Sequence, residues 1–289
     1  MVSISTSKAF DRSIPATAGI GLRAPHFAEI LDRRPALDWV EVHSENYFGY
    51  GIPLGALMKV RKHYGVSLHG IGLSIGSTDA LNLEHLAELK ALIARLEPGF
   101  VSEHLCWSSI GGQYLNDLLP MPYTEEALRY LAGRVTEIQE RLGRAILIEN
   151  ISSYLEFMDS EIPEWEFLAE LALRSGCGVL LDVNNIYVSA CNHGFDPYVY
   201  MRSIPIRSVK EMHLAGFTRK QFEDGEILID SHNRPVAPEV WRLYDTAIAR
   251  FGATPTLIEW DSDLPSLDRL LEEAAKAQTI LEKTHVRVA

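Results

Sequence analysis

Six side chains of metal-ligand type fall at the ends of successive hydrophobic runs. They are His69 in VSLHG, His104 in VSEHL, Glu149 in ILIEN, Asp182 in LLDVNN, His213 in EMHLAG and Glu259 in TLIEW. A buried charge is costly unless something pairs with it. Taken singly, a histidine at such a position is more often a satisfied core or loop residue. A lone acid there is more often a helix cap or an ion-pair partner. Six at equivalent positions shift the balance, because independent accidents would have to coincide. Glu149, Asp182 and Glu259, with Asp230 as a fourth, would force one another to take up protons unless cations stood between them. A donor set of imidazole and carboxylate without thiolate suits iron, manganese or zinc better than copper(I). Asp230 and His232 add an i, i+2 pair in DSH. Asn184 and Asn185 follow Asp182 as neutral amide donors or as hydrogen-bond partners of ligands. Glu45, Asn150, Asn184 and His193 are candidates for touching substrate or supporting the ligands.

These residues need a scaffold that brings strand ends together. Strand-like runs occur at about 19–23, 38–44, 65–69, 99–104, 145–149, 178–183, 208–214 and 255–260. Several are apolar almost throughout, as parallel strands covered on both faces are. Between them lie helical patterns. Residues 82–96 have Asn82 as N-cap, 124–142 open with Thr124 and acidic residues, and 163–174 run from Pro163 to just before Gly176. Further helices are read over 238–251 and 264–283. Eight alternating units predict a single closed TIM-like (β/α)8 barrel over residues 1–289, with 1–17 as a flexible N-terminal segment. An open doubly wound sheet is the alternative. Alternate strand residues face the interior, so ligands near the C-terminal strand ends meet at the rim where barrel active sites form. The connections 106–122 and 215–238 are long, and long loops there tend to be functional.

The chain has 289 residues, a net charge of −12 and a pI near 5.3. That balance argues against nucleic acid and anionic membrane as partners. Runs of eighteen or more apolar residues are absent, and residues 1–16 do not read as a secretory signal. Cys106, Cys177 and Cys191 are odd in number and widely spaced, which fits free thiols in a cytoplasmic setting. Nucleophile-elbow, Walker A and dinucleotide-binding patterns are not found. HGIGLSIGS at 69–77 can cradle an anion through backbone N–H groups, but a tight turn is the plainer reading. His26, His63, His85 and His193 fall in helices or loops and read first as ordinary residues, with His85 on a helix surface and His193 near the barrel mouth. Cys106 stands two residues beyond His104.

GIGLR, EVHSENYFG, LHGIGLSIG, SEHLCW, LIEN, LLDVNN, MHLAG, DSH and IEW occur in that order. Together, over roughly residues 18–275, they resemble the DUF692 family, whose characterised members are multinuclear non-heme iron-dependent oxidative enzymes. The resemblance implies a TIM-like barrel holding two or three iron ions (Fe2+/Fe3+), with O2 as co-substrate. It implies oxidative modification of cysteine or other residues in a small, Cys-containing, ribosomally made precursor peptide. A separate partner protein for peptide delivery is also implied. Residue by residue, it places one iron near Glu149, Asp182, His213 and Glu259. A second lies near His69, His104 and a shared Glu149. The third uses Asp230 and His232 with Asn185. Two other classes stand beside this reading. One is a divalent-metal-dependent isomerase or hydrolase of the xylose-isomerase-like or endonuclease-like barrel type. The other is a non-enzymatic metal-storing or partner-binding module.

Overall fold

The computed structural model describes residues 14–223 and 225–287. The expected flexible segment therefore lies, up to residue 13, outside the described residues. Eight parallel strands close into a barrel: β1 (Ala18–Gly21), β2 (Trp39–His43), β3 (Gly65–His69), β4 (Phe100–His104), β7 (Leu147–Glu149), β8 (Gly178–Asp182), β9 (Val209–Leu214) and β12 (Thr256–Ile258). The expected eight strands are all present, and the closed barrel excludes the doubly wound alternative. Around it lie α1 (Phe27–Arg33), α2 (Ile52–Val60), α3 (Leu83–Leu96), α4 (Glu125–Leu142), α5 (Glu164–Ser175), α6 (Val183–His193), α7 (Pro197–Ser203), α8 (Pro238–Phe251) and α9 (Leu267–Arg287). Asn82 and Thr124 cap α3 and α4 by accepting from the His85 and Ala127 amides. α1, α2, α6 and α7 escape the sequence reading. α6 follows β8 with no intervening loop, so its apolar residues merge with the strand's.

The two long connections are not irregular loops. β5 (Trp107–Ile110) pairs antiparallel with β6 (Gln113–Leu119), and β10 (Thr218–Phe222) pairs antiparallel with β11 (Gly225–Ile229). Gly111 and Gly112 join the first hairpin at φ +60° and +75°. Two successive positive φ values make the primed turn that matches strand twist, and glycine adopts them without steric cost.

Two-residue alternation sorts every barrel strand into an inner and an outer face. Outer residues such as Val40, Val42, Leu68, Val101, Ile148, Val179, Leu181, Leu214 and Ile258 are buried under the helices. Inner residues form layers along the barrel axis. Trp39, Phe100, Leu147, Leu180 and Leu257 cluster with Ile14 into an apolar plug at the N-terminal end. Gly19 makes room for this plug, since a Cβ there would strike the Trp39 indole. Above the plug, Glu41, Ser67, Ser102 and Glu211 are fully buried and polar. His43, His69, His104, Glu149, Asp182, His213 and Glu259 come next, at the C-terminal ends.

Outside the barrel, Glu164 in the first turn of α5 accepts from the Tyr123 hydroxyl at 3.0 Å and the Tyr200 hydroxyl at 2.7 Å. Burial nevertheless raises its carboxyl from 4.5 to about 7. The fold thus favours the protonated form. This contribution to stability is complete below pH 4.5 and is lost as pH rises through about 7. Glu164→Gln keeps the neutral shape. It is expected to match the parent near pH 4.5 and to exceed it above pH 7 by up to about 3 kcal/mol. Denaturant titrations at the two pH values check this, and a stability difference independent of pH would reject it.

Candidate metal centre

His69, His104 and Glu149 arrive from three neighbouring strands because the register pairs His69 with Ser102 and His104 with Glu149. Glu149 Oε2 lies 3.3 Å from His69 Nε2 and 3.2 Å from His104 Nε2, and the two Nε2 atoms are 3.2 Å apart. Tetrahedral ligands at about 2.0–2.1 Å from an ion stand about 3.4 Å from one another, so the triangle is of metal-binding size. The far side of each ring fixes its direction. His104 Nδ1 is 3.1 Å from the Gly70 carbonyl, to which it donates, and His69 Nδ1 is 2.7 Å from Ser102 Oγ. Donation to a carbonyl leaves the Nε2 lone pair of His104 facing inward. Burial depresses both imidazoles, His69 far below its usual range and His104 to about 4. Both rings are therefore neutral at neutral pH, the form that ligates.

The same Glu149 belongs to a second group. One ligand atom from each of Glu149, Asp182, His213 and Glu259 lies within 4.8 Å of every other. His213 Nδ1 is 3.7 Å from Glu149 Oε1 and 3.2 Å from Glu259 Oε2. Asp182 has two tasks. Its Oδ1 accepts from the Asn185 amide at 2.5 Å as the N-cap of α6, while its buried Oδ2 has no hydrogen-bond partner among the described residues. Burial, then the Asp230 charge, pushes Asp182 to about 8, and burial pushes Glu149 well above the carboxylate range. Burial also acts to raise Glu259, but the charges of His232 and His213 outweigh it and hold Glu259 at about 2. An ion bound here would have to displace the protons that Glu149 and Asp182 favour.

His213 is set from below. Its Nε2 lies 3.3 Å from Glu41 Oε1, and Ser67 Oγ donates to Glu41 Oε2 at 2.9 Å. Glu211 lies beside Glu41 and is raised well above its usual range by burial and by that neighbour. A carboxylate behind a histidine fixes the tautomer and makes the opposite nitrogen a better donor. Neither Glu41 nor Glu211 was singled out from the sequence. Their mid-strand places, two residues before His43 and His213 on the same inner face, were the available signal.

Asp230 and His232 lie on the segment after β11, at the mouth. They pair with each other, His232 Nε2 to Asp230 Oδ1 at 2.6 Å, while His232 Nδ1 is 3.2 Å from Asp261 Oδ2 and 3.6 Å from Glu259 Oε2. The Asn184 amide donates to Asp230 Oδ1 at 2.7 Å. Asn185 donates to the Asn150 carbonyl at 3.1 Å and leaves its buried Oδ1 without a hydrogen-bond partner among the described residues. Asp230, His232 and Asn185 all line the cavity at the mouth. His232 holds φ +43°, a left-handed conformation uncommon outside glycine. Its amide donates to the Gly216 carbonyl, and its carbonyl accepts from the Asp261 and Ser262 amides, which fixes it there. Gly216 allows this approach, because a Cβ would collide with the Arg234 and Pro235 carbonyls.

The remaining candidates sit as follows. Asn150 clamps β7 to β8 through paired bonds with the Asp182 backbone, N–H to Oδ1 and Nδ2–H to carbonyl, both at 2.9 Å. His193 is 2.6 Å from Ser153 Oγ and lines a neighbouring cavity of about 370 Å³. Glu45 does not line the central cavity. It accepts from the Ile71 and Gly72 amides and faces His85. His85, expected at the helix surface, is only 10% exposed. Arg23 and Asp261 also belong to the site, and so does His43, which the sequence places at the end of its strand without a role. Arg23 is ion-paired with Asp261 and donates to His43 Nε2 at 3.0 Å. His43, Glu259 and Asp261 form a further group of ligand-type atoms. Over the centre lies a cavity of about 450 Å³, walled by His43, Leu115 to Leu118 of β6, Tyr154, Asp230 and Asp261.

Glu41→Gln preserves shape and replaces the carboxyl group behind His213 with an amide. Metal affinity, measured by chelator competition, is expected to fall about 10- to 100-fold with the melting temperature little changed. An unchanged affinity would show that Glu41 does not act through His213.

The family described as RiPP precursor modification enzyme MbnB/TglH/ChrH matches residues 17–282. A UPF0276 protein of Acaryochloris marina is 52% identical over 264 residues, covering 91% of this chain and 94% of that protein. One from Vibrio vulnificus is 54% identical over 264 residues, covering 91% of each. Among solved structures, a xylose isomerase-like TIM barrel protein from Mycobacterium smegmatis in complex with magnesium aligns at TM-score 0.62. It is 13% identical and covers 93% of this chain and 97% of that one. Endonuclease IV from Thermus thermophilus aligns at TM-score 0.59 and 14% identity, covering 92% and 99%. At such identities these structures share the fold alone.

Proposed function

The chain belongs to the RiPP precursor modification enzyme family MbnB/TglH/ChrH, and from that premise we propose that it oxidatively modifies cysteine in a ribosomally made precursor peptide, using iron and O2. One observation carries the reading: Glu149 presents one oxygen to His69 and His104 and the other to His213. A carboxylate so placed can serve two ions at once, which is what a polynuclear centre requires. In this proposal His69, His104 and Glu149 hold one iron. Glu149, Asp182, His213 and Glu259 hold another. Asp230 and His232, with Asn185, supply a third position once His232 turns from Asp230. All donors are nitrogen or oxygen, a set that suits iron. When bound, the ions supply electrons to O2 and a positive charge for the substrate thiolate.

The chain's own residues do the rest. Glu41 orients His213, and Gly70 and Ser102 orient His104 and His69. The plug from Trp39 to Leu257 closes the far end of the barrel, so substrate and O2 enter from the mouth. There, Ile71, Leu115 and Tyr154 are exposed apolar side chains on the cavity wall. Such walls suit the flanks of a peptide better than a sugar, whose hydroxyls need polar partners. The peptide is the small Cys-containing precursor, brought by a separate delivery protein. No described helix is long and apolar enough to cross a membrane. Cys106, Cys177 and Cys191 are free thiols, which favours a reducing, cytoplasmic setting.

Anaerobic loading with iron, followed by O2 and a Cys-containing precursor encoded beside this protein, should change the peptide's mass by loss of hydrogen or gain of oxygen. Glu149→Ala should lower bound iron by at least one equivalent and reduce turnover by about 10³-fold or more, given that electrostatic and metal terms dominate such barriers. A peptide left unmodified by the iron-loaded protein rejects the oxidase reading. O2-independent turnover of a sugar with magnesium or zinc would replace it with the isomerase class.

A further inference from the structure

Glu103 is on the wrong face of its strand. Ser102 and His104 point into the barrel, so Glu103 points out, where the neighbouring positions are Val101, Leu68 and Ile148. It is nevertheless 2% exposed. An acid in an apolar layer beneath helices is costly unless it is hydrogen-bonded or neutralised. The Leu73 and His104 amides bond this carboxyl but leave Oε1 unpartnered among the described residues. Two other ligand-type groups face it: Glu45, just beyond β2, and His85, in the first turn of α3. One ligand atom from each of the three lies within 4.8 Å of the other two. His85 Nε2 is 3.5 Å from Glu45 Oε1, close to the edge expected between ligands of one tetrahedral ion, about 3.4 Å. Glu45 Oε2, His85 Nε2 and Glu103 Oε1 are each buried without a hydrogen-bond partner among the described residues.

The backbone is moulded around this group. The Ile71 and Gly72 amides donate to Glu45 Oε1 at 2.9 and 2.8 Å, which aims that carboxylate. A Cβ on Gly70 would strike Glu103 Oε1, and one on Gly72 would come within 3.2 Å of both Glu45 Oε1 and His85 Cε1. The glycines of LHGIGLSIG thus bring the loop after β3 down onto three ligand atoms. Phe48 packs edge-on against His85, with ring centroids 4.9 Å apart, and sets the imidazole plane.

We propose that Glu45, His85 and Glu103 form a divalent-cation site separate from the barrel centre, on the opposite face of β4, taking an ion of the zinc or manganese class. Two carboxylates and a neutral imidazole balance a divalent charge and leave positions for water. The competing occupant is a proton on Glu103, which neutralises one acid and leaves His85 Nε2 unused. The site has a structural consequence at the centre. Gly70, held from behind by this group, offers the carbonyl that accepts from His104 Nδ1 at 3.1 Å. An ion here locks the loop that aims His104.

Crystals of the full-length protein grown with zinc, measured above and below the zinc absorption edge, test the proposal. An anomalous peak enclosed by Glu45, His85 and Glu103 is the expected result, and its absence overturns the site whatever the barrel centre shows. In solution, His85→Ala should bind one zinc equivalent fewer than the parent by elemental analysis. Peaks at the barrel centre should remain in its crystals. A His85→Ala protein with the parent's full zinc content overturns the proposal. Because the barrel-centre peaks are read separately, failure here is distinguishable from failure of the central metal reading.

Discussion

Too much negative charge is confined at one end of the barrel for the site to be stable as a set of bare carboxylates. Glu41, Glu149, Asp182, Glu211 and Glu259 are each at most 4% exposed. Like charges at such separations interact far more strongly in a protein interior than in water. Protons on Glu149, Asp182 and Glu211, together with charged His213 and His232, are the internal means of neutralising them. The cost of gathering the acids is explained if divalent or trivalent ions replace those protons. Glu149 is the hinge of this balance, because its two oxygens face different partners. Removing its charge unbalances both groups at once.

The layered interior follows from that constraint. A polar centre needs a dry, rigid base, and the Trp39–Phe100–Leu147–Leu180–Leu257 plug provides one. Between plug and centre, Glu41 and Ser67 act as an orienting device for His213. At the mouth the chain leaves the closed sheet. The β5–β6 hairpin and the segment from Asp230 to Pro235 are insertions on the barrel, and they wall the cavity without belonging to the closed sheet. The left-handed backbone at His232 is held by three hydrogen bonds.

The barrel strands were legible in the sequence because each is a short apolar run ending in a polar residue, and β-periodicity then dictates which face that residue takes. Convergence of His69, His104, Glu149, Asp182, His213 and Glu259 follows from parallel register alone. The hairpins were not recognised, although Gly111–Gly112 between Ile110 and Gln113 is a strong turn signal, because a long connection after a barrel strand invites a loop reading. Glu41 and Glu211 were overlooked for a different reason. Mid-strand acids break the apolar run that identifies a strand, and nothing local marks their partner, which is a histidine from another strand. Glu45 has the reverse history. Its position at a strand end attracted a substrate role, yet the 3₁₀ turn of Ser44–Tyr47 swings it away from the mouth and toward His85.

The swing of Glu45 shows why strand-end chemistry cannot be read from position alone. Two residues of helical turn carry a side chain from the inner to the outer side of the sheet, and the acids then divide into separate populations. His43, the last residue of β2, stays inside beside Arg23 and Asp261. Glu45 joins Glu103 outside. β4 is the wall between them, with Glu103 and His104 adjacent in sequence and opposed in direction. The LHGIGLSIG and SEHLCW segments meet at this strand: the inner face presents His69 and His104, the Gly70 carbonyl accepts from His104 Nδ1, and Gly70 also packs against Glu103 on the outer face.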